Sequence, residues 1–426
     1  MAMVLPGVTL TNSVLTTQAS DTAVTTPLFI GFTQQENDRT LQTVKIESLS
    51  EATSHFGEQG DLYQALRHFF DNKGSYCYVL SLGKLPETQT GAADAPDNDN
   101  PAAQSLLTAL QEPALAEIIA TENRASLLAV PEMSGFNLSA ETADGGLSLW
   151  QQGWTLLLSF CQRRRDLFAL LEAPESTAVT NKLVTAISAS NLHQAAAWWP
   201  RLQTQYVDDT GSFRVLSPVA AVAAVIQNNA RQYGIWNAPA NIALAKVVRP
   251  TLTGHAFQPL LNEQGINLNL IRSFAGKGVR LWGCRTLMTD TASPWRYIQT
   301  RLLANYVESQ LSRLVRLWLF EPNNALTWMK IKGQTLMWLQ QQWRAGAFYG
   351  TKEEDAYNVS IGLNETMTET DISQGLMRMN IRLALLAPAE FIDISLVLDS
   401  RNGISVQTQQ EKQHVRTYHA LRSTPL

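Results

Sequence analysis

Six histidines, three cysteines and a few close-set acidic residues are the groups with which this 426-residue chain could do chemistry. Cys77, Cys161 and Cys284 stand far apart, with no Cys-x-x-Cys pair and no Cys/His spacing that would hold zinc. They read as buried thiols of a reducing compartment. The histidines at 55, 68, 193, 255, 414 and 419 are scattered, and His68, set among apolar residues of a helical stretch, reads as structural. Asp208 and Asp209 are adjacent in "DDTG", the composition of a solvated turn. Glu353, Glu354 and Asp355 could hold a cation, but no calcium-loop pattern surrounds them. Gly276, Gly278 and Gly283 do not form the dinucleotide-binding G-x-G-x-x-G, because four residues separate the last two. There is no G-x-x-x-x-G-K-[ST] phosphate loop and no G-x-S-x-G nucleophile elbow. The expectation is a chain with no catalytic residues, no cofactor and no metal.

A different chemistry is offered by residues 294–324, "PWRYIQTRLLANYVESQLSRLVRLWLFEPNN". Arg296, Arg301, Arg313 and Arg316 could meet nucleic acid, a membrane surface or another protein. The net charge of −4 and pI near 5.9 argue against nucleic acid. The longest apolar run, "VAAVAAVI" at 219–226, is too short to span a bilayer, and "MAMVLPGVTL" has neither the basic nor the apolar region of a signal peptide. Synthesis in the cytoplasm without stable membrane insertion is expected. Ile298, Leu302, Tyr306, Leu314 and Trp318 recur at helical spacing, so Trp295, Tyr306 and Trp318 read as core and the arginines off that face are left for protein contacts. Charged residues make up only 16% of the chain, a proportion suited to a molecule that covers much of its surface with partners.

The elements that position these residues alternate. "GVTLTNSV" has the period of a strand, with Val8 and Leu10 on one face and Thr9 and Thr11 on the other, and no hairpin turn follows it. It reads as an arm that needs a partner. "PLFIGF", the helix "DLYQALRHFFDNKG" and the strand "SYCYVLSLG" suggest an α/β layer. A polar stretch, "PETQTGAADAPDNDNPAA", then separates a second run of alternating helices and strands. Ser293-Pro294 opens a long helix, and a second helix runs from about Asn324 to Trp343, with Met329, Leu336, Leu339 and Trp343 inward and Gly346 at its end. "AEFIDISLVLDS" alternates cleanly: Ile392, Ile394, Leu396 and Leu398 share one face, and Asp393, Ser395, Val397 and Asp399 the other. Residues 400–426 show no core pattern.

Several blocks together resemble the contractile tail sheath proteins, in the style of the antifeeding-prophage and Photorhabdus virulence cassette injection systems. "LYQALRHFFDNKGSYCYVLSLG", "YGIWNAPAN", "GKGVRLWGCRTL", "WRYIQTRLLANYVESQL" with "FEPNN" and "QWRAGAF", and "APAEFIDISL" follow one another in the family's order over about residues 60 to 400. Asn237 stands where the family often has Lys, Cys284 where it often has Ala, and "SPVAAVAA" replaces a more usual Pro-Pro-Ser-Gly stretch. The tail from 400 is an extension beyond the usual chain end.

The resemblance implies an α/β (α+β) tail-sheath fold. Its parts would be an N-terminal strand arm (1–22), a core in two parts (23–85 and 211–390), an inserted outer α/β domain after a polar linker (86–210), a C-terminal exchanged strand (391–399) and an extension (400–426). It implies a structural subunit, not an enzyme, polymerised in rings around an inner tube and contracting to drive that tube into a target cell, within a particle released from bacteria. Partners would be other sheath subunits, the tube and the baseplate. The arms, Val8 to Thr11 and Ile392 to Leu398, would complete sheets in neighbours, because an orphan strand leaves N–H and C=O groups that another chain can pair. Arg296, Arg301, Arg313 and Arg316 would face acidic surface on tube or neighbour. A soluble α/β enzyme, and a sheath paralogue serving as adaptor ring at the baseplate, are the rival readings.

Overall fold

The structure is a computed structural model and describes residues 25–34, 41–84, 101–136, 143–253, 268–290, 292–386, 391–399 and 403–409. Along the chain come β1 (Pro27–Thr33), β2 (Thr43–Ile46), α1 (Leu49–Phe56), α2 (Gly60–Asp71), β3 (Cys77–Lys84), α3 (Pro101–Gln111), α4 (Pro113–Thr121), β4 (Leu127–Ala129), α5 (Ala143–Arg163), β5 (Phe168–Glu172), α6 (Thr177–Ala186) and β6 (Ala195–Trp199). β7 (Leu202–Val207), β8 (Phe213–Leu216), α7 (Val219–Tyr233), β9 (Val247–Pro250), β10 (Asn269–Phe274) and β11 (Gly278–Trp282) follow. The last part holds α8 (Ile298–Arg316), α9 (Ala325–Arg344), α10 (Glu353–Ala356), β12 (Tyr357–Ser360), α11 (Glu369–Ser373), β13 (Leu376–Ala384), β14 (Phe391–Asp399) and β15 (Gly403–Gln409).

Eight strands form one sheet in the order β11-β10-β6-β5-β4-β1-β3-β2. The six inner strands run parallel, and β11 and β2 pair antiparallel at the edges. A parallel sheet has both faces covered, so its strands read as unbroken apolar runs. "PLFIGFT" in β1, "FALLE" in β5 and "AAAWW" in β6 are buried at every position. Successive side chains leave the sheet on opposite faces. Phe29, Val79, Leu127 and Phe168 pack beneath α1, α2, α7 and α8, whereas Leu28, Leu80, Leu128 and Ala169 pack beneath α3, α4, α5 and α6. α7 carries the run "VAAVAAVI", buried at all eight positions where it lies on α2, β4 and β5.

The sheet crosses the expected boundaries. β4, β5 and β6 were expected in a separate inserted domain at 86–210, yet they continue the sheet begun by β1, β2 and β3 and completed by β10 and β11. The polar stretch at 86–103 has the composition of a boundary, and pairing between strands far apart in sequence leaves no local signal against it. The long helix also departs from expectation. Residues Pro294–Arg296 form a short 3-10 turn capped by the Ser293 hydroxyl, Tyr297 is extended (φ −110°, ψ 138°), and α8 begins only at Ile298.

Among the described residues there are two smaller sheets, β8-β7-β9 and β12-β13-β14-β15. The glycines of "GKGVRLWGCRTL" have distinct uses. Gly278 (φ 72°) closes the β10–β11 hairpin, and Gly283 (φ 147°) lies so close to Asn269 that a Cβ would meet its Oδ1 at 2.7 Å. Asn269 in turn accepts the Arg285 N–H at 2.7 Å and donates to the Arg285 carbonyl at 2.7 Å.

Candidate interaction surfaces

The C-terminal sheet is built on β13. Its Met377, Met379, Ile381 and Leu383 are buried, while Arg378, Asn380 and Arg382 between them are exposed. The antiparallel ladder sets Leu398, Leu396, Ile394 and Ile392 of β14 against those four buried residues, in that order. The helix pair α8–α9 is fastened to this sheet. Asn323 Nδ2 donates to the Leu376 carbonyl at 2.9 Å, Trp328 Nε1 donates to Asn323 Oδ1 at 2.7 Å, and Thr335 lies 3.7 Å from the Met379 sulfur. α9 buries Thr327, Ile331, Thr335 and Leu339. Met329, expected inward, is 69% exposed. The inner stripe recurs every four residues and includes two threonines, so the methionines lie off it.

In the single chain β14 is not an orphan. β13 pairs one edge, and β15 pairs the other over seven positions, Asp393↔Gln409 to Asp399↔Gly403. Within the chain the strand at 391–399 is paired on both edges, and 403–409, in the tail that shows no core pattern, forms a strand. The outer strands of this sheet are β12 and β15, and neither pairs a further strand among the described residues. Val8, Thr9, Leu10 and Thr11 lie outside the described residues.

The four arginines singled out in 294–324 fall into three environments. Arg301 is buried at 3% exposure, so it cannot face tube or neighbour. Its Nε donates to Asn305 Oδ1 at 2.6 Å, its Nη2 to Glu308 Oε1 at 3.2 Å, and its guanidinium lies over the Trp295 ring at 4.3 Å. Burial lowers the affinity of this guanidinium for its proton and the Glu308 carboxylate opposes that, the usual balance of a buried pair. Arg296 is half-buried near the Tyr297 ring. Arg313 and Arg316 are exposed on the last turns of α8, where a basic side chain also meets the negative end of the helix.

Arg313 and Arg316 share a groove of about 460 Å³ with Arg163, Arg164 and Arg165, walled by the ends of α4 and α5 and by α8. In "QRRRD" the middle arginine turns inward. Arg164 is 7% exposed, donates to the carbonyls of Ile119, Glu122 and Ala125, and bonds Asp166 at 2.9 Å. Arg163 and Arg165 on either side are exposed. The two carboxylates lining the groove, Asp166 and Glu308, are engaged by the buried Arg164 and Arg301. Reading along 294–324 alone missed Arg163 and Arg165; three consecutive arginines ending a helix were the available signal.

The position at which an open α/β sheet usually receives a ligand is filled. Strand order reverses between β1 and β4, and the crevice at the carboxyl ends there is the usual binding place. Here Glu132, buried just after β4, accepts the Phe32 N–H at 2.6 Å, and a Cβ on Gly31 would meet the same carboxylate oxygen at 2.7 Å. Burial holds the Glu132 carboxyl well above the usual carboxylate range. His68 is likewise structural: with Asn72 it contacts the Ala245 carbonyl, at 3.3 Å for each, and its ring meets Tyr206 edge-on. Among the described residues no group of three or more His, Cys, Asp or Glu side chains could hold a metal, and no helix is long and apolar enough to cross a membrane.

Comparison with curated proteins returns no match. The profile of the phage tail sheath C-terminal domain matches residues 290–398. Among solved structures, a chain of the anti-feeding prophage baseplate in its contracted state is 50% identical, with a TM-score of 0.79 over 92% of this chain and 97% of that one. A chain of the PVC sheath complex, an extracellular contractile injection system in its contracted state, is 28% identical, with a TM-score of 0.64 over 92% and 96%. The sheath tail protein of Desulfitobacterium hafniense shares the fold at 9% identity, with a TM-score of 0.56 over 88% and 96%. With its α/β sheet, its helix pair and its C-terminal four-stranded sheet, this chain belongs to the contractile tail sheath family.

Proposed function

We propose that this chain is a structural sheath subunit of a contractile injection system, polymerising in rings around an inner tube and contracting to drive the tube into a target cell. The 50% identity over 92% of the chain to part of a contracted-state assembly carries the reading. Its partners are further sheath subunits, the baseplate and the inner tube. It is made in the bacterial cytoplasm and works in a released particle, with no nucleic acid bound directly and no membrane insertion.

The C-terminal sheet supplies the joint. β14 (Ile392 to Leu398) anchors the sheet, and its outer strands β12 and β15 offer the edges to which a neighbour adds a strand. The N-terminal arm, Val8 to Thr11, is the segment suited to supply it. Backbone bonds give such a joint strength and alternate side chains give it register. Repeated head to tail, heterologous contacts wind into a helix. Folded cores can then rotate against each other while the joints hold. The extended sheath stores the free energy of contacts not yet made, behind a kinetic barrier.

Electron microscopy of particles made with and without this chain tests the reading. Loss of the chain is expected to abolish or shorten the sheath; particles of normal length that still contract would overturn the proposal. A sheath that forms but detaches on removal of residues 400–426 would place the chain at the baseplate end.

A further inference from the structure

The groove between α5 and α8 carries an unusual charge for this chain. Five arginines line it against two carboxylates, a local excess of three positive charges in a chain of net charge −4, which leaves the remainder at −7. Both carboxylates are already engaged by buried guanidiniums. Arg163, Arg313 and Arg316 are exposed on a concave surface whose α5 end is pinned by the buried Arg164. A planar guanidinium fork matches a carboxylate, so a concave surface with several of them fits a short acidic segment of protein.

The same chain displays such a segment. Glu353, Glu354 and Asp355 are consecutive and all exposed. Glu353 accepts from Gln340 and from the Tyr357 hydroxyl, and Glu354 lies 3.6 Å from the exposed Lys352. Exposed pairs of this kind contribute little and exchange readily. α10, which holds the segment, packs on α9, β12 and β13, whereas the groove is walled by α4, α5 and α8. Two complementary patches on different elements are what a head-to-tail contact between identical subunits requires.

We infer that the groove lined by Arg163, Arg165, Arg313 and Arg316 receives the acidic segment Glu353-Glu354-Asp355 of a second copy of this chain. The inference rests on the sheath reading and names one of its contacts. It also makes that contact sensitive to salt, since exposed charges are screened within about 8 Å at physiological ionic strength.

A charge exchange tests it. Particles are made with R313E/R316E, with E353K/E354K, or with all four substitutions in the same full chain. Sheath is then counted by electron microscopy, and folding of each purified chain is followed by circular dichroism. Each double variant is expected to lower sheath yield by about tenfold or more while folding normally, because like charges then face one another. The four-substitution chain restores yield to within about twofold of wild type, since opposite charges again meet. Normal sheath from either double variant, or a four-substitution chain no better than the worse double variant, overturns the inference. A wild-type chain that never enters a sheath overturns the sheath reading as well.

Discussion

Arg301 and Arg313 sit on the same helix and play opposite parts. Arg301 is buried against Glu308, so Arg301→Met removes a guanidinium that holds that carboxylate in the interior. The expected loss is about 3–5 kcal/mol of monomer stability in urea denaturation, the range for breaking one side of a buried pair. Arg313→Ala, on the exposed side, should stay within about 0.5 kcal/mol. Equal losses would mean that the burial of Arg301 does not govern its role. His68 gives a prediction in pH. Its burial outweighs the Ala245 hydrogen bond and the Asp71 charge and lowers its pKa from 6.5 to about 4. A base whose folded pKa is depressed leaves the folded state short of protons relative to the unfolded one. Its contribution is complete above about 6.5 and is lost as pH falls toward 4. His193, lowered to about 3 by burial and then by the Arg301 charge, acts in the same direction. Unfolding free energy measured from pH 7 to pH 5 should fall less steeply in His68→Gln, by up to ~1.4 kcal/mol per pH unit. Parallel curves for the two proteins would exclude His68 as the linked group.

At the scale of elements, the C-terminal sheet carries a prediction about pairing. β15 covers the edge of β14 from Asp393 to Asp399. A chain ending at Asp399 would expose that edge, and an exposed edge is a template for pairing. Light scattering after size exclusion should find the truncated chain self-associated at concentrations where the full chain is monomeric. A monodisperse truncated chain would show that β15 is not what protects β14. The turn between α8 and α9 is the other outward element. It shows Leu317 at 78% and Phe320 at 88% exposure, the latter with φ 74°, a conformation bulky residues rarely adopt. Because its side chain packs on almost nothing, Phe320→Gly should leave the monomer as stable or raise its melting point slightly, by up to about 1 kcal/mol in free energy. A large loss would reveal a packing role that the exposure does not indicate.

For the whole molecule, one large sheet is covered on both faces, and a small C-terminal sheet lies beside a helix pair. A sheath built from such units draws on many weak contacts acting together. Association with neighbours stabilises only the folded chain, so subunits in assembled sheath should melt at a higher temperature than the purified monomer. Calorimetry of the two fractions checks this, and coincident transitions would mean that assembly adds no free energy to the fold.

The sequence by itself determined most of the element types and the family, though not the strand at 403–409 or the break before α8. Strand and helix periods are local, and blocks such as "GKGVRLWGCRTL" owe their residues to local backbone needs, as Gly278 and Gly283 show. The alternation of 391–399 was legible because a strand beside a buried partner repeats every two residues, and β13 supplies that partner. Tertiary structure alone decided the rest. Which strands share a sheet is set by hydrogen bonds between segments far apart in the chain, so a polar stretch at 86–103 could pass for a domain boundary while β1 and β4 pair across it. Whether an arginine is buried or exposed depends on what another element places over it: Glu308 and Trp295 enclose Arg301, while α5 brings Arg163 and Arg165 beside Arg313 and Arg316. That juxtaposition has no period along the chain, because it joins two helices more than a hundred residues apart, and only folding brings them together.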